Sequence, residues 1–312
     1  MQLSMLIARQ IASMMLMLLT GFSAGRLRLL PEDAEKTVSA LSLYILCPAI
    51  LLSAFQMDFT REKLVLFLWG LAAALVINLL FIGASLLCSK AFGIDDVDRL
   101  SLIYVNSGNL IVPLIAAILG REFVFYSSSY LALMNTLFWI HGYPILSGDT
   151  RISLRQILVN PNLISICAGM LLFISQISLP GLVSTTIGRL ADCIGPVSML
   201  GIGIIMSRLP LARVFQNARA WLICILRLLF FPLLCIFLIW LFRPARLYPG
   251  LDNILLCSML AAAAPSAVMI SQLASITDRD TAVASAVNVL TTLLCTVTMP
   301  FMIMVYQILC MR

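Results

Sequence analysis

Charge is what this 312-residue chain has least of: 11% of its residues are Asp, Glu, Lys or Arg, against 62% hydrophobic, and its mean hydropathy is +1.06. Soluble domains carry about a quarter charged residues, so a soluble globular fold is excluded. Histidine is almost missing, His141 being the single copy, and the nine cysteines show no CxxC or Cys/His spacing that would hold zinc. They read as small apolar packing residues. No P-loop, GxSxG, HExxH or dinucleotide fingerprint occurs in a usable context, so neither an enzyme nor a cofactor is expected. Acids are absent from mid-run positions: all fourteen Asp and Glu lie at or near the ends of apolar runs, and Asp192 alone is a candidate for embedding. Carboxylate-relay pumps and cation exporters need an ionisable acid within the membrane, which argues against both.

What fills the chain instead is a series of apolar runs long enough to span a bilayer, at roughly 5–25, 37–56, 63–89, 99–119, 123–147, 159–176, 187–206, 216–242, 252–275 and 282–310. The first lacks an A-x-A site and is longer than a signal-peptide core, so it is expected to stay as span 1. Connections such as TREK at 60–63 and TDRD at 277–280 leave no room for a soluble domain. The expectation is an all-α polytopic protein of ten transmembrane helices, one integral unit in the lipid bilayer. The net charge of +6 marks cytoplasmic loops rather than a nucleic-acid partner.

Two prolines interrupt spans at mid-membrane positions, Pro113 in span 4 and Pro265 in span 9. Proline removes a backbone donor and frees carbonyls that hydrocarbon cannot satisfy, so such breaks persist only against protein or a water-lined cavity. Pro48 with Pro196, Pro113 with Pro265 and Asn135 with Asn288 recur at offsets of 148, 152 and 153 (196 − 48, 265 − 113, 288 − 135). Five spans lie in 1–155 and five in 156–312, and an odd number per half turns the second half upside down. Two inverted five-helix repeats, with spans 4 and 9 broken at their prolines, are the expected architecture. With both termini extracytoplasmic, eleven Lys and Arg fall on the cytoplasmic side and eight on the other, Arg227 excluded.

Half-helices that begin after such breaks offer unpaired N–H groups and the positive end of a dipole, which favour a carboxylate. The expected substrate site therefore combines Asn106, Ser107, Asn109 and Pro113 with Ala264, Pro265 and Ser266, and takes Asn135 and Asn288 as neighbours. The competing reading of these small polar groups is that they satisfy freed carbonyls and hold helices together. Arg227 lies near mid-depth in span 8; it draws an anion or stands in for a coupling cation, or else it pairs with a polar group such as Asp192 or snorkels. His141 reads as a hydrogen-bonded packing group, with a proton relay as the alternative.

The segments AAAAPSAVMISQLASITDRDTAVASAVNVLTTLLCTVTMP, NSGNLIVPL at 106–114 and NPNLISICAGMLL at 160–172 resemble, in that order along the chain, the auxin efflux carrier family in its short bacterial form. The departure is Leu110, Ile111 and Val112 before the first proline, where the family usually carries a small residue. The resemblance implies a scaffold of spans 1, 2, 6 and 7, a transport unit of spans 3–5 and 8–10, and alternating access about a crossing of spans 4 and 9. It implies a secondary transporter of a small organic anion, auxin-, malate- or malonate-like, in the cytoplasmic membrane. Coupling to H+ or Na+, uniport, and a homodimer all stay open. A transporter-like sensor that binds without translocating is the alternative function, and a membrane enzyme the third.

Overall fold

The computed structural model describes residues 2–31, 33–148, 154–277 and 279–310. Asp149, Arg151, Asp278 and Arg312, which enter the topology reading, lie outside the described residues. Fourteen helices are described: α1 Gln2–Arg26, α2 Ala34–Ala54, α3 Arg61–Phe92, α4 Asp96–Ile103, α5 Ser107–Ile118, α6 Arg121–Ser147, α7 Leu154–Leu158, α8 Pro161–Ser175, α9 Gly181–Ser207, α10 Leu211–Gln216, α11 Ala218–Phe242, α12 Leu251–Ala262, α13 Val268–Ile276 and α14 Thr281–Cys310. Among the described residues, six helices are long and apolar enough to cross a membrane, and α5, α8 and α12 are shorter apolar helices. The protein is thus a polytopic, all-helical membrane protein.

Local chemistry sets the helix starts. Thr60 caps α3 by accepting from the Lys63 N–H, Asn160 accepts from Asn162 and Leu163 ahead of α8, and Asn217 accepts from Ala220 ahead of α11. Gly93, at φ +63°, ends α3 in the left-handed conformation that glycine adopts without steric cost. Along α3, Leu68, Val76, Leu79 and Leu87 are exposed, whereas Phe67, Gly70, Ala74, Phe81 and Cys88 are buried. Both faces are apolar, as a helix needs when one side meets protein and the other lipid.

Helices α1 and α9 approach each other closely. A Cβ on Gly21 would sit 2.2 Å from the Leu200 carbonyl oxygen, and one on Gly203 would sit 2.0 Å from that of Leu18. Only glycine permits backbones this near, the usual means by which spanning helices pack without a hydrophobic driving force.

Four π-helical turns punctuate the long helices, at Ser42–Leu46, Ser107–Ile111, Phe138–Gly142 and Leu226–Phe230. Each ends two residues before a proline, at Pro48, Pro113, Pro144 and Pro232. A proline ring collides with the carbonyl four residues back, and the wider turn absorbs the collision without ending the helix. Pro113 therefore lies inside α5, and span 4 is not broken there. Its break is the extended stretch around Tyr104–Asn106, eight residues upstream of Pro113 (113 − 105 = 8 from Val105). In the second half Pro265 does sit in the break, between α12 and α13. Across the two breaks Val105 lies against Ser266 in an isolated antiparallel bridge.

Candidate functional site

The two breaks meet as a short antiparallel pair. Asn106 N–H donates to the Pro265 carbonyl and Ala267 N–H to that of Tyr104, both at 3.0 Å, which makes the Val105–Ser266 bridge. Main-chain groups freed by unwinding thus satisfy one another across the crossing, as a low-dielectric setting demands. Second-half side chains lock it: Asn288 Nδ2 donates to the Ser266 carbonyl at 3.0 Å, and Ser266 N–H donates to Thr291 Oγ1 at 3.2 Å.

Arg227, with 0% of its surface exposed, occupies the other flank. Its Nε donates to the Ala264 carbonyl at 3.1 Å, Nη1 to Leu102 at 3.2 Å and Nη2 to Ala262 at 2.9 Å. The guanidinium lies 5.1 Å from the centre of the Phe81 ring. It caps the carbonyl ends of α4 and α12 together. Asp192 is not its partner: that carboxylate is exposed and pairs with Arg121, whose guanidinium also donates to the Gly188 carbonyl.

On the opposite flank the crossing opens into a cavity of about 170 Å³. By this measure a water needs about 10–15 Å³, so the space suits a small organic molecule. One wall comes from Asn106, Ser107 and Asn109 at the start of α5, Asn135 of α6, and Val268 and Gln272 of α13; the other comes from Ser42 of α2, Asn162 of α8 and Ser198 of α9. Among the described residues, no Asp, Glu, Lys, Arg or His lines it. Five buried polar atoms here have no hydrogen-bond partner: Ser42 Oγ, Asn106 Nδ2, Asn135 Nδ2, Asn162 Oδ1 and Ser198 Oγ. Each buried orphan costs about 1–3 kcal/mol if it stays unpaired, so these five are hydrogen-bonding groups available to whatever occupies the cavity.

The dipoles add a sign. The carbonyl ends of α4 and α12 face Arg227, whereas the first residues of α5 and α13 line the cavity, with no acid among the described lining residues. Each such end carries about +0.5 of a charge.

The sequence-expected residues divide accordingly. Asn106, Ser107, Asn109 and Asn135 line the cavity. Ala264, Pro265, Ser266 and Asn288 are buried in the crossing and its brace, and Arg227 is held by backbone carbonyls. Pro113 lines a different hollow, beside Arg121, Asp192 and Pro196. Ser42, Asn162 and Ser198 were not anticipated. The quoted NPNLISICAGMLL segment contains Asn162, and that was the available signal. His141 lies outside the cavity: the Tyr104 hydroxyl is 3.0 Å from both the Leu137 carbonyl and His141 Nδ1.

A family model described as "Membrane transport protein", that of the auxin efflux carriers, matches residues 6–151 and 148–303. The chain belongs to the auxin efflux carrier family. That family is one of transporters rather than enzymes. Against the curated proteins no match is found. Membership covers both halves of this carrier-family chain, including every residue named in the crossing and the cavity.

Proposed function

We propose that this protein is a secondary transporter moving a small organic anion, a mono- or dicarboxylate, across the cytoplasmic membrane by alternating access. The observation that carries the reading is the cavity: five unpartnered polar atoms and two helix N-termini, with no fixed charge of either sign among the described residues of its walls. Two ends of about +0.5 each sum to about one positive charge, which one carboxylate neutralises. Asparagine amides and serine hydroxyls then supply neutral hydrogen bonds, the usual few well-placed polar groups of a small-molecule site.

The cavity's two walls fall into the groups a moving carrier needs. Ser42, Asn162 and Ser198 lie on helices that the family resemblance assigns to a scaffold, α1, α2, α8 and α9, and Asn106, Ser107 and Asn135 on those it assigns to a moving unit. A ligand seated between them is released when one group shifts against the other. Ten spans in two inverted repeats, 1–155 and 156–312, agree with the ion pairs. Glu35 pairs with Arg208, Asp95 and Asp98 pair with Arg219, and Lys63 pairs with Glu122, each joining residues assigned to one side of the membrane.

The test is counterflow in proteoliposomes against a panel of carboxylates. Exchange of labelled for unlabelled carboxylate across the bilayer is expected for at least one of them. Saturable binding of a carboxylate with no counterflow of any would leave a sensor in place of a transporter.

A further inference from the structure

Arg227 is fully buried and does not line the cavity. It sits behind the crossing and gives three of its five N–H donors to the carbonyls of Leu102, Ala262 and Ala264. Among the described residues no Asp or Glu forms an ion pair with it. A lone buried cation is normally prohibitive. Here the helix ends supply the counter-charge: α4 and α12 each present about −0.5 at their carbonyl termini, and the two together offset a single +1.

That balance has a consequence for ion coupling. Carbonyls that converge where broken helices cross are oxygen ligands of the kind that hold Na+ in other transporter folds. In this chain the carbonyls named above are occupied, and the guanidinium fills the space between them. A sodium ion added there would bring a second uncompensated charge into an apolar interior. We infer that Arg227 is a built-in, non-exchangeable cation that takes the place of a coupling sodium at the crossing, joining α4 and α12 so that both breaks move as one body. The inference deepens the transport reading at one point, ion coupling, and can be tested without any transport measurement.

The test reads thermal unfolding of the purified full-length chain in detergent, with Na+ alone and guanidinium alone as probes. Wild type titrated with Na+ to about 100 mM, against choline at constant ionic strength, is expected to keep its midpoint, since an ion that binds only the folded state must raise it. Arg227→Ala is expected to melt at lower temperature and to recover saturably with guanidinium at about 5 mM, far below denaturing levels, but not with choline. Arg227→Lys, which keeps the charge and loses the planar fork, is expected to melt between the two and to ignore Na+.

Saturable stabilisation of wild type by Na+ overturns the inference, and so does a folded Arg227→Ala that guanidinium leaves unmoved. If Arg227→Ala does not fold, the wild-type titration and Arg227→Lys decide, a sodium response in either overturning the inference. Should no carboxylate undergo counterflow while these ion results hold, the transport reading falls and the clamp stands.

Discussion

Two asparagines with similar burial have opposite jobs. Asn288 Nδ2 donates to the Ser266 carbonyl inside the crossing, whereas Asn135 Nδ2, on α6, has no partner among the described residues and lines the cavity. Removing a satisfied group leaves its partner orphaned and costs about 1–3 kcal/mol; removing an orphan relieves a cost. Asn288→Ala is therefore expected to lower the melting temperature of the ligand-free protein, and Asn135→Ala to leave it unchanged or raise it. Ligand affinity should move the other way for Asn135→Ala, falling by about 1.5–3 kcal/mol, roughly 10- to 150-fold, if its amide meets a charged ligand. Differential scanning fluorimetry, with affinity for the carboxylate that shows counterflow, separates the two. A destabilised Asn135→Ala with unchanged affinity would give Asn135 a purely structural role. Asn109 reaches the same cavity and is less deeply buried, so Asn109→Leu is expected to weaken binding, with Asn253→Leu as a peripheral control.

At the scale of the element, proline and glycine decide where helices may bend and where they may touch. The π turns before Pro48, Pro113, Pro144 and Pro232 explain why the first break was misread from sequence: a spanning helix can widen around a proline rather than stop. Pro265 did mark a break, because Ala263–Ala267 has its own pairing partner in Tyr104–Asn106. Sequence contained the two crossing segments and the buried arginine but not their partners. Backbone carbonyls leave no trace in residue identity, so the acceptors of Arg227 were invisible, and Ser42 and Ser198 resemble any small residue in a packed span. Glycine supplies the second element-scale expectation. Gly203→Ala drives a Cβ into the Leu18 carbonyl and should destabilise the α1–α9 pair, whereas Gly83→Ala on the exposed face of α3 meets nothing within 4 Å. The second change should be neutral or stabilising by about 0.5–1 kcal/mol, the gain of alanine over glycine within a helix. Melting temperatures of the two variants check it; equal shifts would mean that α1 and α9 separate at little cost.

For the whole molecule, sidedness is the property on which alternating access rests. On the proposed reading the eleven-to-eight distribution of Lys and Arg favours both termini outside the cytoplasm, and Glu35 with Arg208 and Asp98 with Arg219 join residues which that reading assigns to one face. Reporter fusions after Asp149 and at Arg312 are expected to give opposite signals, cytoplasmic for the first. A cytoplasmic signal at Arg312 with an external one after Asp149 would reverse the orientation, and the same signal at both would require an even number of crossings between them and would remove the inverted repeat.

The crossing also separates two kinds of recognition. On the proposed reading, attraction for negative charge arises from peptide dipoles at the starts of α5 and α13, which no single side-chain replacement erases. Fit to one anion rather than another rests on Ser42, Asn106, Asn135, Asn162 and Ser198. A lineage built on this scaffold can exchange those five and change its cargo in few steps while its preference for anions persists, because the feature that attracts charge is written in the fold and the features that choose among charges are written in the sequence.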